Sequence, residues 1–192
     1  MSYSDPTILD RFGDTISYSL GCIIYKRYIR SLGLKGDELL MDFGCGGGGS
    51  ARYLAPLLTR GGRLTCYDRY GYWVDRAGRR LRRHGNIDFL AGELSVLAES
   101  DTFTPRFDAI LVHFVFHEIE KSERRNTADT LYRLLAPGGS LYIREPVKAS
   151  HGIPPEEIRS ILSTAGFSEQ AGATMKMAIL GPLHSGRYIK KA

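Results

Sequence analysis

The chain has 192 residues, 43% of them hydrophobic, which is enough for one domain with a sizeable core. No apolar run approaches the roughly 20 residues that span a bilayer, and the N-terminus lacks the basic start of a secretory signal. Three scattered cysteines argue against a disulfide scaffold and predict a cytoplasmic protein, while the net charge of +5 is a mild basic excess.

Helices and strands alternate through the first half of the chain. Apolar periodicity predicts helices over residues 16–32, about 49–58 and about 71–83, and strands over 39–43, 63–68 and 87–91. The arginines of the third helix, Arg76, Arg80 and Arg83, lie on one face. That face is either solvated or a patch for an anionic partner.

The second half continues the alternation. A short helical stretch near 94–99 precedes strands and helices in turn, at 107–114, 122–135, 139–145, 154–165, 168–178 and 185–191. The short connection "LGPLHSG" between the last two strands favours an antiparallel hairpin. The pattern predicts an α/β fold, doubly wound, with a mostly parallel seven-stranded sheet, an antiparallel C-terminal hairpin strand and helices on both faces.

The same pattern predicts one domain over residues 1–192. We expect a helical cap over 1–36, a ligand-binding core over 37–147, and a C-terminal helix with edge strands over 148–192. The segment from Asp5 to Leu32 precedes the first core strand. It is therefore expected to fold over the strand ends and to contact an acceptor.

Four consecutive glycines, Gly46 to Gly49, stand between a predicted strand and a predicted helix in "MDFGCGGGGS" (41–50). Ligands of open parallel sheets bind beyond the carboxyl ends of the strands, where glycine allows close approach and unusual backbone angles. Gly44, Gly46 and Gly49 also satisfy the dinucleotide pattern G-x-G-x-x-G, and Asp68 follows about 20 residues later, where it can accept ribose hydroxyls. The loop therefore predicts a nucleotide-like ligand.

Five segments in order narrow that choice. "LLMDFGCGGGGSARYLA", "LTCYDRY", "IDFLAGEL", "FDAILVHFVFHEI" and "LAPGGSLYI" resemble the motifs of class I S-adenosylmethionine-dependent methyltransferases over residues 38–146. The resemblance implies that the first segment holds the methionine part of the cofactor, Asp68 the ribose and Glu93 the adenine, where aspartate is usual. Gly47 and Gly49 depart from the family, because larger residues usually occupy their positions.

The resemblance implies a full set of cofactor-binding residues and no metal. They are Asp42, Gly44, Cys45, Gly46, Gly48, Asp68, Arg69, Gly92, Glu93, Leu94 and His113. Asp42 can instead bond the loop amides and orient the turn. Cys45 suits a tight turn better than it suits nucleophilic attack.

His113 and His117 are the candidate catalytic residues, since they follow the fourth core strand. Methyl transfer proceeds by in-line displacement, and it needs a general base only if the nucleophile must lose a proton. A buried histidine with satisfied hydrogen bonds is the alternative for either residue. His84 and His184 are expected at the surface.

The acceptor is predicted to be a small molecule, because the sequence has no separate nucleic-acid-binding module or basic tail. The aromatic, basic-edged stripe over 18–30 leaves a lipid or quinone acceptor, and contact with a membrane surface, open. Two other functions stay open as well: a non-catalytic sensor or subunit that binds S-adenosylmethionine, and a nicotinamide-dependent oxidoreductase. The sequence gives no indication of oligomeric state.

Overall fold

A computed structural model describes residues 7–99, 107–148, 150–177 and 180–191 of the chain. The chain divides into two compact units, Met1–Glu93 and Leu94–Ala192. The expected division into a cap, a core and a C-terminal part of one domain stays a prediction.

The first unit contains three parallel strands in the order β3-β2-β1, namely β1 (Leu39–Phe43), β2 (Arg63–Asp68) and β3 (Ile87–Ala91). Its helical segments are α1 (Ile8–Ser19), a π-helical turn (Cys22–Lys26), α2 (Arg27–Arg30), α3 (Ala51–Leu54) with a 3-10 extension (Ala55–Leu57), and α4 (Gly71–Leu81). Leu40, Leu64 and Cys66 are fully buried in the strands, and Ala77 and Leu81 of α4 are buried with them. Burial of this apolar surface is the main force that holds the unit together.

The start of the N-terminal helix was predicted wrongly. A continuous helix over 16–32 was expected, but α1 begins at Ile8, and the helix is interrupted by the π-helical turn after Gly21. The apolar residues of α1 point outward, so a search for an inward apolar stripe does not detect its first two turns. Gly21 lies where a Cβ atom would come within 3.1 Å of the Tyr53 ring, so the chain passes close to α3 at this point.

The second unit contains four strands in the order β4-β5-β7-β6, namely β4 (Phe107–His113), β5 (Leu135–Pro146), β6 (Phe167–Met177) and β7 (Gly181–Lys190). Its helices are α5 (Leu94–Glu99), α6 (Arg124–Leu134) and α7 (Pro155–Thr164). β4 and β5 pair in parallel, whereas β7 pairs antiparallel with β5 and β6. The seven-stranded mixed sheet confirms the predicted α/β fold class.

The predicted connection "LGPLHSG" is largely strand. β7 begins at Gly181, and Pro182 pairs with Lys176 at the start of the hairpin. Proline is tolerated at the first residues of a strand, because the N–H group it lacks is not needed there. The longer strand also changes the setting of His184, which is fully buried instead of lying at the surface.

No helix among the described residues combines the length and the apolar character that a membrane crossing requires.

Candidate functional site

The turn after β1 has the backbone conformation that its glycines suggested. Gly44, Gly46 and Gly48 have φ angles of 70°, 49° and 85°, in the left-handed region that favours glycine. A Cβ atom on Gly48 would press on Leu81, whereas a Cβ atom on Gly46 would meet nothing within 4 Å. The loop therefore packs on α4 at Gly48 and borders open space at Gly46, which fits a ligand lying against its backbone.

Asp68, at the end of β2, lies beside this open space. Its buried carboxylate accepts hydrogen bonds from the backbone N–H groups of Gly46, at 3.0 Å, and Tyr70, at 3.1 Å. Burial raises the pKa of Asp68, and these N–H groups offset part of that effect. A carboxylate has four lone-pair positions, so Asp68 retains acceptor capacity for a ligand hydroxyl.

Asp42, in β1, lies beneath the loop and not along it. Its carboxyl group accepts a hydrogen bond from the Ser50 hydroxyl, and only 1% of the residue is exposed. Burial raises the pKa of Asp42 to about 7, the Ser50 hydrogen bond lowers it, and the charge of Asp68 adds to the rise. Asp42 thus fixes Ser50 at the entry to α3, and direct contact with a cofactor stays a prediction.

Cys45 and Cys66 are neighbouring buried thiols. The Cys45 backbone N–H donates to the Tyr67 carbonyl at 2.9 Å, which ties the loop to β2. The hydrogen bond to Cys66, together with burial, raises the pKa of the Cys45 thiol well above its ordinary value. A thiol that stays protonated is a poor nucleophile, so the geometry favours a structural role.

The adenine side of the predicted site lies after β3. Glu93 accepts two hydrogen bonds from the Arg69 guanidinium, and both side chains are about half exposed. Gly92 has a φ of 129° and accepts a hydrogen bond from the Tyr67 hydroxyl at 2.8 Å, while Leu94 begins α5. Arg69 and Glu93 therefore form a pair with each other, and their contact with adenine stays a prediction.

The two extra glycines have a different explanation from Gly46. A Cβ atom on Gly47 would overlap the Arg80 guanidinium and the Asp14 carboxylate, and one on Gly49 would come within 2.9 Å of the Tyr25 ring. Gly47 and Gly49 are thus required by the N-terminal segment, which packs directly on the loop. Larger residues would displace that segment.

The arginine face of α4 proves to be neither solvated nor a free anion patch at its centre. Asp14 of α1 forms ion pairs with Arg76, at 2.8 Å, and Arg80, at 2.9 Å, and all three side chains are at least three-quarters buried. Arg80 also donates to the Gly47 carbonyl at 2.8 Å. α1, α4 and the glycine loop are therefore joined through two arginines.

The second unit holds a histidine–carboxylate pair that the sequence only half predicted. His117 Nδ1 lies 2.6 Å from Glu145 Oε2, and the fully buried Glu145 also accepts hydrogen bonds from the N–H groups of Val115, Phe116 and His117. Burial lowers the pKa of His117, but the hydrogen bond and charge of Glu145 outweigh this, and the net pKa is raised. Glu145 was missed, although a lone acid at the end of the apolar strand "LYIRE" is itself a signal.

His113 is a second, different histidine. It ends β4, is buried, and lies 4.2 Å from the Phe114 ring between centroids. Burial and the charge of Arg144 lower its pKa well below the ordinary value, so the ring is neutral. Phe114 has a φ of 62°, which is strained for a residue with a side chain and often occurs at functional sites.

Arg124, at the start of α6, fixes the segment that carries His117. Its guanidinium donates to the carbonyl groups of His117 and Ile119 and forms an ion pair with Glu157 at 2.8 Å. The segment is therefore held through its N–H groups by Glu145 and through its carbonyl groups by Arg124. His84 is partly exposed, and His184 is buried with Nδ1 3.3 Å from the Thr174 hydroxyl, where burial lowers its pKa.

Comparison with known proteins decides the family. The model of the methyltransferase domain family matches residues 41–141, which is more than half of the chain. This chain belongs to the methyltransferase domain family. The predicted membership of the class I S-adenosylmethionine-dependent methyltransferases, with S-adenosylmethionine as cofactor, is confirmed.

Individual relatives are distant. A sterol 24-C-methyltransferase from Neurospora crassa is 28% identical over 125 residues, which is 63% of this chain but only 31% of that protein, so the chain matches about a third of its length. The N-methyltransferase NodS from Bradyrhizobium japonicum, solved with S-adenosylhomocysteine, is 22% identical with a TM-score of 0.68, covering 98% of this chain and 90% of NodS. A methyltransferase from Aquifex aeolicus is 20% identical with a TM-score of 0.72, covering 92% of this chain and 96% of its own. These two structures share the fold.

Proposed function

We propose that this methyltransferase transfers the methyl group to a small-molecule acceptor, with His117 as the general base. The observation that carries the proposal is the pair formed by His117 and the fully buried Glu145. A carboxylate only accepts hydrogen bonds, so in the neutral ring Nδ1 carries the proton and Nε2 presents a lone pair. This is the arrangement in which histidine takes a proton from a nucleophile.

The cofactor would be held by the first unit. The open space at Gly46 leaves room against the loop backbone, and Asp68 offers acceptor capacity for ribose hydroxyls. Asp42 would support the loop through Ser50. When it is bound, S-adenosylmethionine supplies an activated methyl group on a sulfonium with a neutral leaving group. The protein's part is then to orient the acceptor and to accept its proton.

His113 would contribute an uncharged ring on the acceptor side. Its lowered pKa keeps it neutral across the physiological range. His117, with its raised pKa, is the better base near neutral pH. The two candidate histidines thus receive different roles.

A small molecule is the favoured acceptor, because the Neurospora crassa relative is a sterol methyltransferase by name. The three cysteines carry free thiols, which favours the reducing cytoplasm as the location. Thiols, amines, phenols and lipids are the acceptor classes to test.

Calorimetry with S-adenosylhomocysteine tests the cofactor site. Asp68→Asn should weaken binding by about 10- to 100-fold, because a carboxylate that accepts ribose hydroxyls contributes roughly 1.5–3 kcal/mol. Asp88→Asn is the matched control. Asp88 forms an exposed ion pair with Arg63, so this substitution should leave the affinity for S-adenosylhomocysteine unchanged. Equal affinity in the wild type and Asp68→Asn would show that Asp68 does not bind the cofactor. Binding of NAD in place of S-adenosylhomocysteine would contradict the assignment of S-adenosylmethionine as the cofactor.

Transfer of a labelled methyl group tests the base. With an acceptor that must lose a proton, the rate should rise with pH through a pKa above the ordinary histidine value, because His117 acts only when deprotonated. His117→Gln should remove that inflection and lower the rate about 100-fold or more, with little change in S-adenosylhomocysteine affinity. If the inflection of the pH–rate profile persists in His117→Gln, a group other than His117 is the base. Absence of transfer to every acceptor class would favour the non-catalytic alternative.

A further inference from the structure

Helix α1 is amphipathic, but its apolar face is exposed and its polar face packs on the protein. Its apolar side chains are exposed, with Ile8, Leu9 and Phe12 at 83%, 81% and 64%. We call the exposed apolar residues of the N-terminal segment the apolar ridge: Ile8, Leu9, Phe12, Ile16, Leu20 and Ile23. A surface helix ordinarily buries its apolar stripe, so this ridge needs an explanation.

Polar contacts hold α1 in this orientation. Asp14 is clamped by Arg76 and Arg80, Tyr18 is stacked by the guanidinium of Arg80 at 4.1 Å, and Arg11 lies 4.5 Å from the Tyr72 ring centroid. At 3.6 residues per turn, the ridge positions within α1 fall in an arc of about 100°, and Asp14 lies about opposite. The outward direction of the ridge is therefore set by specific contacts on the inner face.

Exposed cations follow the ridge along the chain. Lys26, Arg27 and Arg30 are exposed, and none of them forms an ion pair with a carboxylate in the part of the chain that the structure describes. Lys26 and Arg30 also line a cavity together with Arg52. An apolar ridge continued by cations without a counter-charge is the pattern of a helix that lies in a lipid interface.

We propose that the N-terminal segment docks this protein on an anionic lipid surface. The apolar ridge enters the boundary between headgroups and acyl chains, and Lys26, Arg27 and Arg30 contact lipid phosphates. A second copy of the chain fits less well, because each copy carries a net charge of +5 and brings the same cations. This surface goes beyond the proposed methyl transfer and does not depend on the identity of the acceptor.

Co-sedimentation with vesicles tests the ridge. The full chain should bind vesicles of phosphatidylcholine mixed with phosphatidylserine far better than vesicles of phosphatidylcholine alone, and added salt should weaken the binding. The double variant Phe12→Ser, Ile16→Ser should lose about tenfold or more in partition. The matched control is Val96→Ser, Met175→Ser, which removes two side chains of similar exposure, 65% and 54%, outside the ridge and should bind as the wild type does.

A second pair of variants tests the cations. Lys26→Gln, Arg30→Gln should weaken binding to the anionic vesicles by about fivefold for each cation removed. Arg79→Gln, Arg82→Gln, at two exposed arginines at the C-terminal end of α4, is the matched control and should change little. Far-ultraviolet circular dichroism on heating establishes that every variant is folded, and no step requires methyl transfer.

Three results would overturn the proposal. They are failure of the wild-type chain to bind the mixed vesicles, wild-type binding by the ridge variant, and a lipid-free dimer in sedimentation that the ridge variant abolishes. The last result would assign the ridge to contact between two copies of the chain.

Discussion

Two equally buried carboxyl groups, one in each unit, are surrounded by different hydrogen-bond donors. Asp42 and Glu145 both lie near the C-terminal end of a buried strand, with 1% and 0% of the residue exposed. Asp42 receives one hydroxyl hydrogen bond among the described residues, and its pKa rises to about 7. Glu145 receives three backbone N–H groups and His117 Nδ1, and it raises the pKa of His117. Burial thus raises the pKa of Asp42 itself, whereas the equally buried Glu145 raises the pKa of the histidine beside it.

Glu145→Ala should have the largest effect. It leaves one buried and two part-buried N–H groups without this acceptor, and a buried group costs roughly 1–3 kcal/mol, so the free energy of unfolding should fall by about 4 kcal/mol. Urea unfolding measures this change. Glu118→Gln is the control, because Glu118 is exposed and lies 4.0 Å from His117 Nε2. A loss below 1 kcal/mol would mean that the three N–H groups find other acceptors.

Glu145→Gln separates the charge of Glu145 from its size. Without the carboxylate, burial dominates, and the pKa of His117 should fall below its ordinary value. The raised pKa of the wild type contributes stability that is present below the unfolded pKa and is lost as pH rises through the folded pKa. The stability difference between wild type and Glu145→Gln should therefore widen as pH falls from 8 to 6. Nuclear magnetic resonance titration of His117 provides the direct measurement.

Asp42→Asn should act in the opposite direction. A rise in pKa from 3.8 to about 7 means that the folded protein loses stability as pH rises between these values, by at most about 4 kcal/mol. Asparagine keeps the size of the side chain and can accept from Ser50, so the variant should be more stable than wild type at pH 8 and similar near pH 4. Urea unfolding across this range tests it, and parallel curves for the two proteins would contradict the shifted carboxyl group.

Ser50→Ala should give the smallest effect. It removes the hydrogen bond that lowers the pKa of Asp42, so this pKa should rise further. The expected loss of stability is about 1 kcal/mol at neutral pH. The loss should be smaller in an Asp42→Asn background, where Ser50 can donate only to a neutral amide, and a double-mutant cycle measures this coupling.

Local sequence patterns were sufficient for most of the fold. The strands at 39–43, 63–68 and 87–91 have the predicted bounds, because each is a short apolar run that glycines and polar residues delimit. The wrong predictions, the start of α1 and the exposure of His184, have one physical cause: the residues that decide each of them lie elsewhere in the chain. α1 is held by polar contacts to α4, and His184 is buried because "LGPLHSG" continues as a strand paired with β5.

The candidate site divides in the same way. The left-handed glycine turn and the position of Asp68 beside it follow from the order of strand, turn and helix. The position of Glu145 at the end of an apolar strand was a signal, but its donors could not be assigned from sequence, because they lie 28 to 30 residues earlier and only the folded unit brings them together. Gly47 likewise depends on a distant residue, because a side chain there would overlap Asp14, which precedes it by 33 residues.

The segment that carries His117 forms hydrogen bonds on two sides. The N–H groups of the segment donate to Glu145, and its carbonyl groups accept from Arg124. Because the buried carboxylate bonds three successive amides, none of them can reach solvent until that carboxylate is released. The amides of residues 115–117 should therefore exchange with deuterium together, through a single opening, and not one by one as in a frayed loop. The rate of this opening then sets how often the segment, with the His117 side chain, leaves and regains its bonded position.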